Sequence, residues 1–137
     1  MNGSARLDVP YDEAALHDLG PWIEAFVEAN KLRADTAFAL QLCLEEAVSN
    51  AVRHGVPSAD SRGVVLTVNA DAAGVVARLE DHGPPFDPLQ AAPPKMPNSL
   101  EDAIPGGLGI HLMREFCKDI SYARVGRINR LTFVFPA

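Results

Sequence analysis

The sequence predicts an α+β domain, a two-layer sandwich with helices packed on one face of a mixed, mainly antiparallel sheet. Three observations point there. Two pairs of β-branched runs are each joined by a few turn residues, 64–79 and 120–135, as hairpins are. Two long stretches with apolar residues at helical spacing lie together in the first half. The resulting order, β-α-α-β-β-loop-α-β-β, groups the helices and leaves a hairpin at the end. At 137 residues the chain is expected to form a single domain spanning 1–137.

Taken in order, Ala5 to Val9 alternates apolar and polar residues and reads as a short strand. Asp12 to Asn30 follows as a helical stretch with Leu16, Leu19, Ile23, Phe26 and Val27 on one side, and Gly20-Pro21 is expected to kink or restart it. A second helix is expected from an Asp35 N-cap to Gly55 as the residue after the helix. Leu40, Leu44, Ala47, Val48 and Ala51 form its apolar stripe. Val64–Val68 and Val75–Leu79 read as a hairpin around Asp71–Gly74, and Ile120–Val125 and Leu131–Phe135 as another around Gly126. Between the hairpins, seven prolines fall between Pro84 and Pro105, with no helical or strand period. Loops of that length are uncommon in compact domains unless they bind or cover something, so a lid at about 84–106 is expected, followed by a helix from Leu108 to Phe116.

Composition excludes several classes. A formal net charge of −6 has the wrong sign for binding nucleic acid by phosphate neutralisation. No apolar run reaches the roughly 20 residues of a membrane helix, and the first ten residues do not pattern as a signal peptide. The expected setting is therefore cytoplasmic. Cys43 and Cys117 have no CxxC or His partners, which argues against zinc or a disulfide framework and for reduced, half-buried residues.

Three constellations carry possible chemistry. Glu46 and Asn50 are one turn apart on the second helix, so a carboxylate and an amide oxygen share a face. That pair suits ordering a hydroxyl and coordinating a hard cation, and equally an ordinary solvated face. Asp81-His82-Gly83 closes a strand; the carboxylate can accept a bond from an amino group, or simply open a turn. Gly106-Gly107-Leu108-Gly109 precedes a helix, where free N–H groups can bind phosphate or the glycines can act as a hinge. It is neither a Walker A loop nor GxGxxG. Arg53, Lys95, His111 and Arg114 could each meet a triphosphate, but a solvated surface position is the favoured reading for any one of them.

The order and spacing of these motifs resemble the N, G1 and G2 boxes of the Bergerat-type ATP-binding fold shared by gyrase, histidine kinases and mismatch-repair ATPases. LEEAVSNAVRHG, EDHGPPFDPL, GGLGIHLMREFCKDISY and GRINRLTFVF are most similar to the bacterial anti-sigma-factor serine kinases, over about Asp12 to Phe135. The resemblance implies ATP and Mg2+ as cofactors, Glu46 as general base and Asn50 as the Mg2+ ligand. It implies Asp81 as acceptor of the adenine amino group, with Gly83 allowing the base to lie close. Gly106, Gly107, Leu108 and Gly109 would face the phosphates. Asn129 stands where related kinases often have Thr, and Pro85 where many have Gly.

The implied function is a protein serine kinase acting as an anti-sigma factor, with a sigma factor and an anti-anti-sigma protein as partners and a possible homodimer. The alternative is an ATP-binding regulatory interaction module without phosphotransfer. A detached histidine-kinase catalytic domain fits less well. Pro21 falls one residue early for a box around His17, and only 29 residues separate His17 from Glu46.

Overall fold

Apolar alternation on five segments builds a sheet whose inner side is closed by helices. The computed structural model describes residues 3–54, 63–85, 87, 89 and 109–136. The strands are β1 (Gly3–Val9), β2 (Val64–Asp71), β3 (Gly74–Asp81), β4 (Asp119–Val125) and β5 (Ile128–Pro136). Their order across the sheet is β1-β2-β3-β5-β4. Every neighbouring pair is antiparallel, so the mainly antiparallel sheet expected from sequence is antiparallel throughout its described strands. The physical reason is the final hairpin: after the crossover from β3, the chain lays β4 at the edge and folds β5 back between β4 and β3.

The helices are α1 (Leu19–Ala29), α2 (Ala34–His54) and α3 (Gly109–Phe116). The stretch expected as one kinked helix is divided. A 3-10 helix over Glu13–Asp18 is capped by Asp12, whose side chain accepts the Ala14 N–H at 3.0 Å. The chain then restarts at Leu19, placing Pro21 in the first turn of α1, where a missing N–H costs nothing. Helix α2 begins at Ala34, one residue before the Asp35 expected as its cap, and Asp35 Oδ1 accepts the Thr36 N–H at 2.9 Å inside the first turn. Its expected end at Gly55 lies outside the described residues.

Helix α2 is the central strut, touching α1, α3, β2, β3 and β5. Leu40, Cys43, Leu44 and Val48 have no exposed surface, and they meet Leu66, Val68, Ala77, Phe133 and other inward residues of the sheet in one core. Ala51, expected on this stripe, is half-buried, and Val52 is buried instead. Each fully buried aliphatic side chain contributes about 1.5–3 kcal/mol. The hairpin ends follow their turn residues. Asp71 Oδ1 accepts from the Ala73 and Gly74 N–H groups at 2.8 and 3.2 Å. Gly126 takes the left-handed conformation, φ 61°, that lets β4 turn tightly into β5. The far end of the sheet is tied to α2 by Thr36 Oγ1, which donates to the Pro136 carbonyl at 3.2 Å.

Candidate functional site

The antiparallel register between β3 and β5 places Asp81 directly opposite Asn129. Both lie on the inward-facing row of their strands, at the end where the core gives out, so two polar groups face one another beside apolar packing. Asn129 is 6% exposed. Its Nδ2 donates to Asp81 Oδ1 at 3.0 Å and to the Pro84 carbonyl at 2.9 Å, with the Gly83 carbonyl at 3.4 Å. Tyr122 of β4 donates its hydroxyl to Asn129 Oδ1 at 2.5 Å.

The turn that follows β3 is held from several sides. Asp81 Oδ1 also accepts the Gly83 N–H at 2.9 Å, closing an Asx turn. The Gly83 carbonyl accepts from Arg124 Nη1 at 2.8 Å, and the His82 N–H donates to the Tyr11 hydroxyl at 3.1 Å. Gly83 is buried against this network. His82 Nδ1 is buried with no hydrogen-bond partner among the described residues.

The second half of the site is on α2. Glu45 is exposed, and its Oε1 accepts from Gln41 Nε2 at 3.4 Å along the helix surface. Glu46 turns inward and is half-buried, and its Oε1 is fully buried without a hydrogen-bond partner among the described residues. Asn50, also half-buried, follows one turn later. An orphaned carboxylate oxygen is costly to bury, and Asn50, one turn along the helix, carries an amide oxygen of the kind Mg2+ accepts. Among the described residues no group of three or more His, Cys, Asp or Glu side chains could hold a metal unaided. A Mg2+ ion here would therefore complete its shell with water and phosphate oxygens, its usual preference.

Gly106, Gly107 and Leu108 lie outside the described residues, as does most of the expected lid. Gly109 opens α3, which packs on α2. Two of the other candidates have structural partners. Arg53 lies 3.9 Å from Glu13 in an exposed ion pair. Arg114 donates to the Leu89 carbonyl, fastening α3 to the chain that leaves β3. Lys95 and the side chain of His111 are outside the described residues. Cys43 is fully buried rather than half-buried, and Cys117 is partly buried; both are free thiols.

Sequence reading missed Tyr11, Tyr122 and Arg124. The signal for Tyr122 and Arg124 was the hairpin register: a turn at Gly126 sets Arg124 opposite Asn129 and puts Tyr122 one diagonal step away on the same face. Tyr11 offers no such signal, because its contact spans 71 residues.

Among the described residues, an antiparallel sheet backed by three α-helices, with a strand-end carboxylate on one side and an inward glutamate on the central helix, defines an α+β domain. Residues 9–135 match the histidine kinase-like ATPase domain, and the chain belongs to that family. ATP binding is the common property of that family. The chain is 36% identical over 111 residues to the serine/threonine-protein kinase BtrW of Bordetella bronchiseptica, covering 81% of this chain and 78% of that protein. By that kinship it groups with the protein serine/threonine kinases of this fold.

Solved structures agree on architecture. The RsbU and RsbW domains of Rv1364c from Mycobacterium tuberculosis superpose with a TM-score of 0.69 at 14% identity. That match takes in 98% of this chain and 32% of the longer one, so this chain spans about a third of it. Histidine kinase AdeS of Acinetobacter baumannii matches with a TM-score of 0.51 at 13% identity, over 96% of this chain and 67% of that one. Among the described residues no helix is long and apolar enough to cross a membrane.

Proposed function

We propose that this chain is an ATP- and Mg2+-dependent protein serine kinase that acts as an anti-sigma factor in a partner-switching system. Its substrate is a serine on an anti-anti-sigma protein, and its second partner is a sigma factor. The observation that carries the reading is Glu46 Oε1, buried and unpaired one turn from Asn50 on the central helix. Kinship with a serine/threonine-protein kinase at 36% identity supports it.

In this reading Asp81 accepts the 6-amino group of adenine and the buried Gly83 lets the base approach the backbone. Gly106, Gly107, Leu108 and Gly109 offer backbone N–H groups to the phosphates at the start of α3, and residues 84–106 cover the nucleotide. Asn50 contributes an oxygen to Mg2+, which when bound neutralises phosphate charge. Glu46 Oε1 takes the proton of the acceptor serine as its oxygen bonds to the γ-phosphorus and the bond to the ADP oxygen breaks. Positioning and charge supply most of such a reaction, and one well-placed base suffices for the proton.

The phosphorylated acceptor gains about −1.5 to −2 charges. Against a chain at −6 this favours release and frees the kinase for its sigma factor. The test is recovery of bound proteins from the native cell with ADP or ATP present, followed by transfer from labelled ATP to each recovered protein. Label on a serine of a small antagonist is expected. Nucleotide binding with no transfer to any recovered protein favours the interaction module instead.

A further inference from the structure

Asp81 has two carboxylate oxygens, and the structure treats them differently. Oδ1 accepts the Gly83 N–H at 2.9 Å and Asn129 Nδ2 at 3.0 Å, which occupies its in-plane lone pairs. Neither bond uses Oδ2. The orientation of Asn129 is fixed in turn. Reversing its amide would set Oδ1 against the Asp81 carboxylate and the Pro84 carbonyl, three acceptors with no proton among them. In the observed orientation both amide protons find acceptors, and the amide oxygen takes the Tyr122 hydroxyl.

We infer that Asn129 and Tyr122 are positioning residues for base selection, which act on the nucleotide only through Asp81. The chain Tyr122–Asn129–Asp81 engages Oδ1 within the protein, and in this reading Oδ2 is the oxygen assigned to the ligand. An exocyclic amino group satisfies that oxygen. A 6-oxo purine presents another acceptor to it and is repelled, and a purine with hydrogen at position 6 gains nothing. Asn129 therefore has no direct adenine contact; its protons are engaged by Asp81 and Pro84. The inference rests on the nucleotide reading of the site given above and adds the residues that set its discrimination.

The experiment measures binding of ADP and of the 6-deamino analogue, purine riboside 5′-diphosphate, to the full chain by calorimetry. The wild type is expected to prefer ADP by about tenfold or more. Tyr122→Phe removes one hydroxyl and is expected to reduce that preference about two- to tenfold, with analogue affinity unchanged. Asn129→Ala is expected to bring the preference close to unity. Analogue binding reports that each variant is folded. If either variant weakens both ligands equally, or changes neither, the residues serve the fold alone and the inference is overturned while the nucleotide site stands. A wild type that binds both equally keeps the nucleotide site and overturns the inference; one that binds neither ligand overturns the nucleotide reading and the inference with it.

Discussion

The two ends of the candidate site follow opposite plans. Around Asp81 the polar groups are tied down: the carboxylate to Gly83 and Asn129, the glycine carbonyl to Arg124, the His82 N–H to Tyr11. The orphan there is a ring nitrogen, His82 Nδ1. On α2 the inward carboxylate oxygen of Glu46 is buried without a hydrogen-bond partner among the described residues. A recognition site gains from rigidity, because a prebuilt acceptor discriminates without reorganising. A reactive group must instead retain a free lone pair, and holding it costs about 1–3 kcal/mol of stability. On the proposed function, the difference between the ends is the difference between selecting a nucleotide and using it.

The largest expected effect lies at the unpaired end. Glu46→Gln keeps size and helix propensity but removes the base, so transfer to serine should fall by about 10²- to 10⁴-fold. ADP affinity should hold, since the tied end is untouched. The pair of measurements is a labelled-transfer assay and calorimetry on the same preparation. Undiminished transfer would dissolve the contrast and remove Glu46 from the chemistry.

At the tied end the effect should appear in binding. Asp81→Asn replaces a charged acceptor, and loss of a charge-assisted bond of about 1.5–3 kcal/mol weakens ADP roughly ten- to a hundredfold. Wild-type affinity in this variant would show that the network around Asp81 holds a turn and not a base.

The contrast also explains what could be read in advance. Spacing alone located α2, β3 and the final hairpin, because burial on one side of a helix or strand imposes a period on the residues. Helical spacing paired Glu46 with Asn50, the end of a strand before Gly83 singled out Asp81, and Asn129 came from the family resemblance. Which oxygen of Glu46 is buried, and what Asn129 touches, depended on strand register and on side chains far apart in the chain. The break before Leu19 was misplaced at Gly20-Pro21 because proline ends a helix in its interior but begins one in its first turn. Cys43 was placed too near the surface because α3, packed across α2, adds a covering layer that α2's own periodicity does not report.

A control at the opposite end of the sheet sharpens the comparison. Thr36→Val deletes the bond from the start of α2 to the Pro136 carbonyl while keeping the packing volume. Stability should drop by about 1 kcal/mol in urea denaturation, with ADP affinity unchanged. A parallel loss of affinity would mean that the ends of the site feel the whole helix, and that their separate plans are not separable by mutation.

The smallest effect comes from a buried group outside the site. Cys43 has no exposed surface, and its sulfur lies 3.9 Å from the Met113 carbonyl of α3, the acceptor that Cys117 Sγ reaches at 2.8 Å. Burial, then the neighbouring Cys117, pushes the Cys43 thiol up from 9.0 to about 12. The folded chain therefore keeps a proton that the unfolded chain releases near pH 9. Stability from this thiol is complete below that pH and is lost progressively between 9 and 12. Between pH 8.5 and 9.5 the loss should be less than about 1 kcal/mol. Cys117 is also raised, chiefly by burial, and adds to the same slope. Comparing urea midpoints of the wild type and Cys43→Ala at both pH values isolates the Cys43 part. The variant should start less stable, having lost packing, yet fall less steeply with pH. Equal slopes would show that the thiol is not held protonated by the core, and that α2 is wetter at Cys43 than its packing implies.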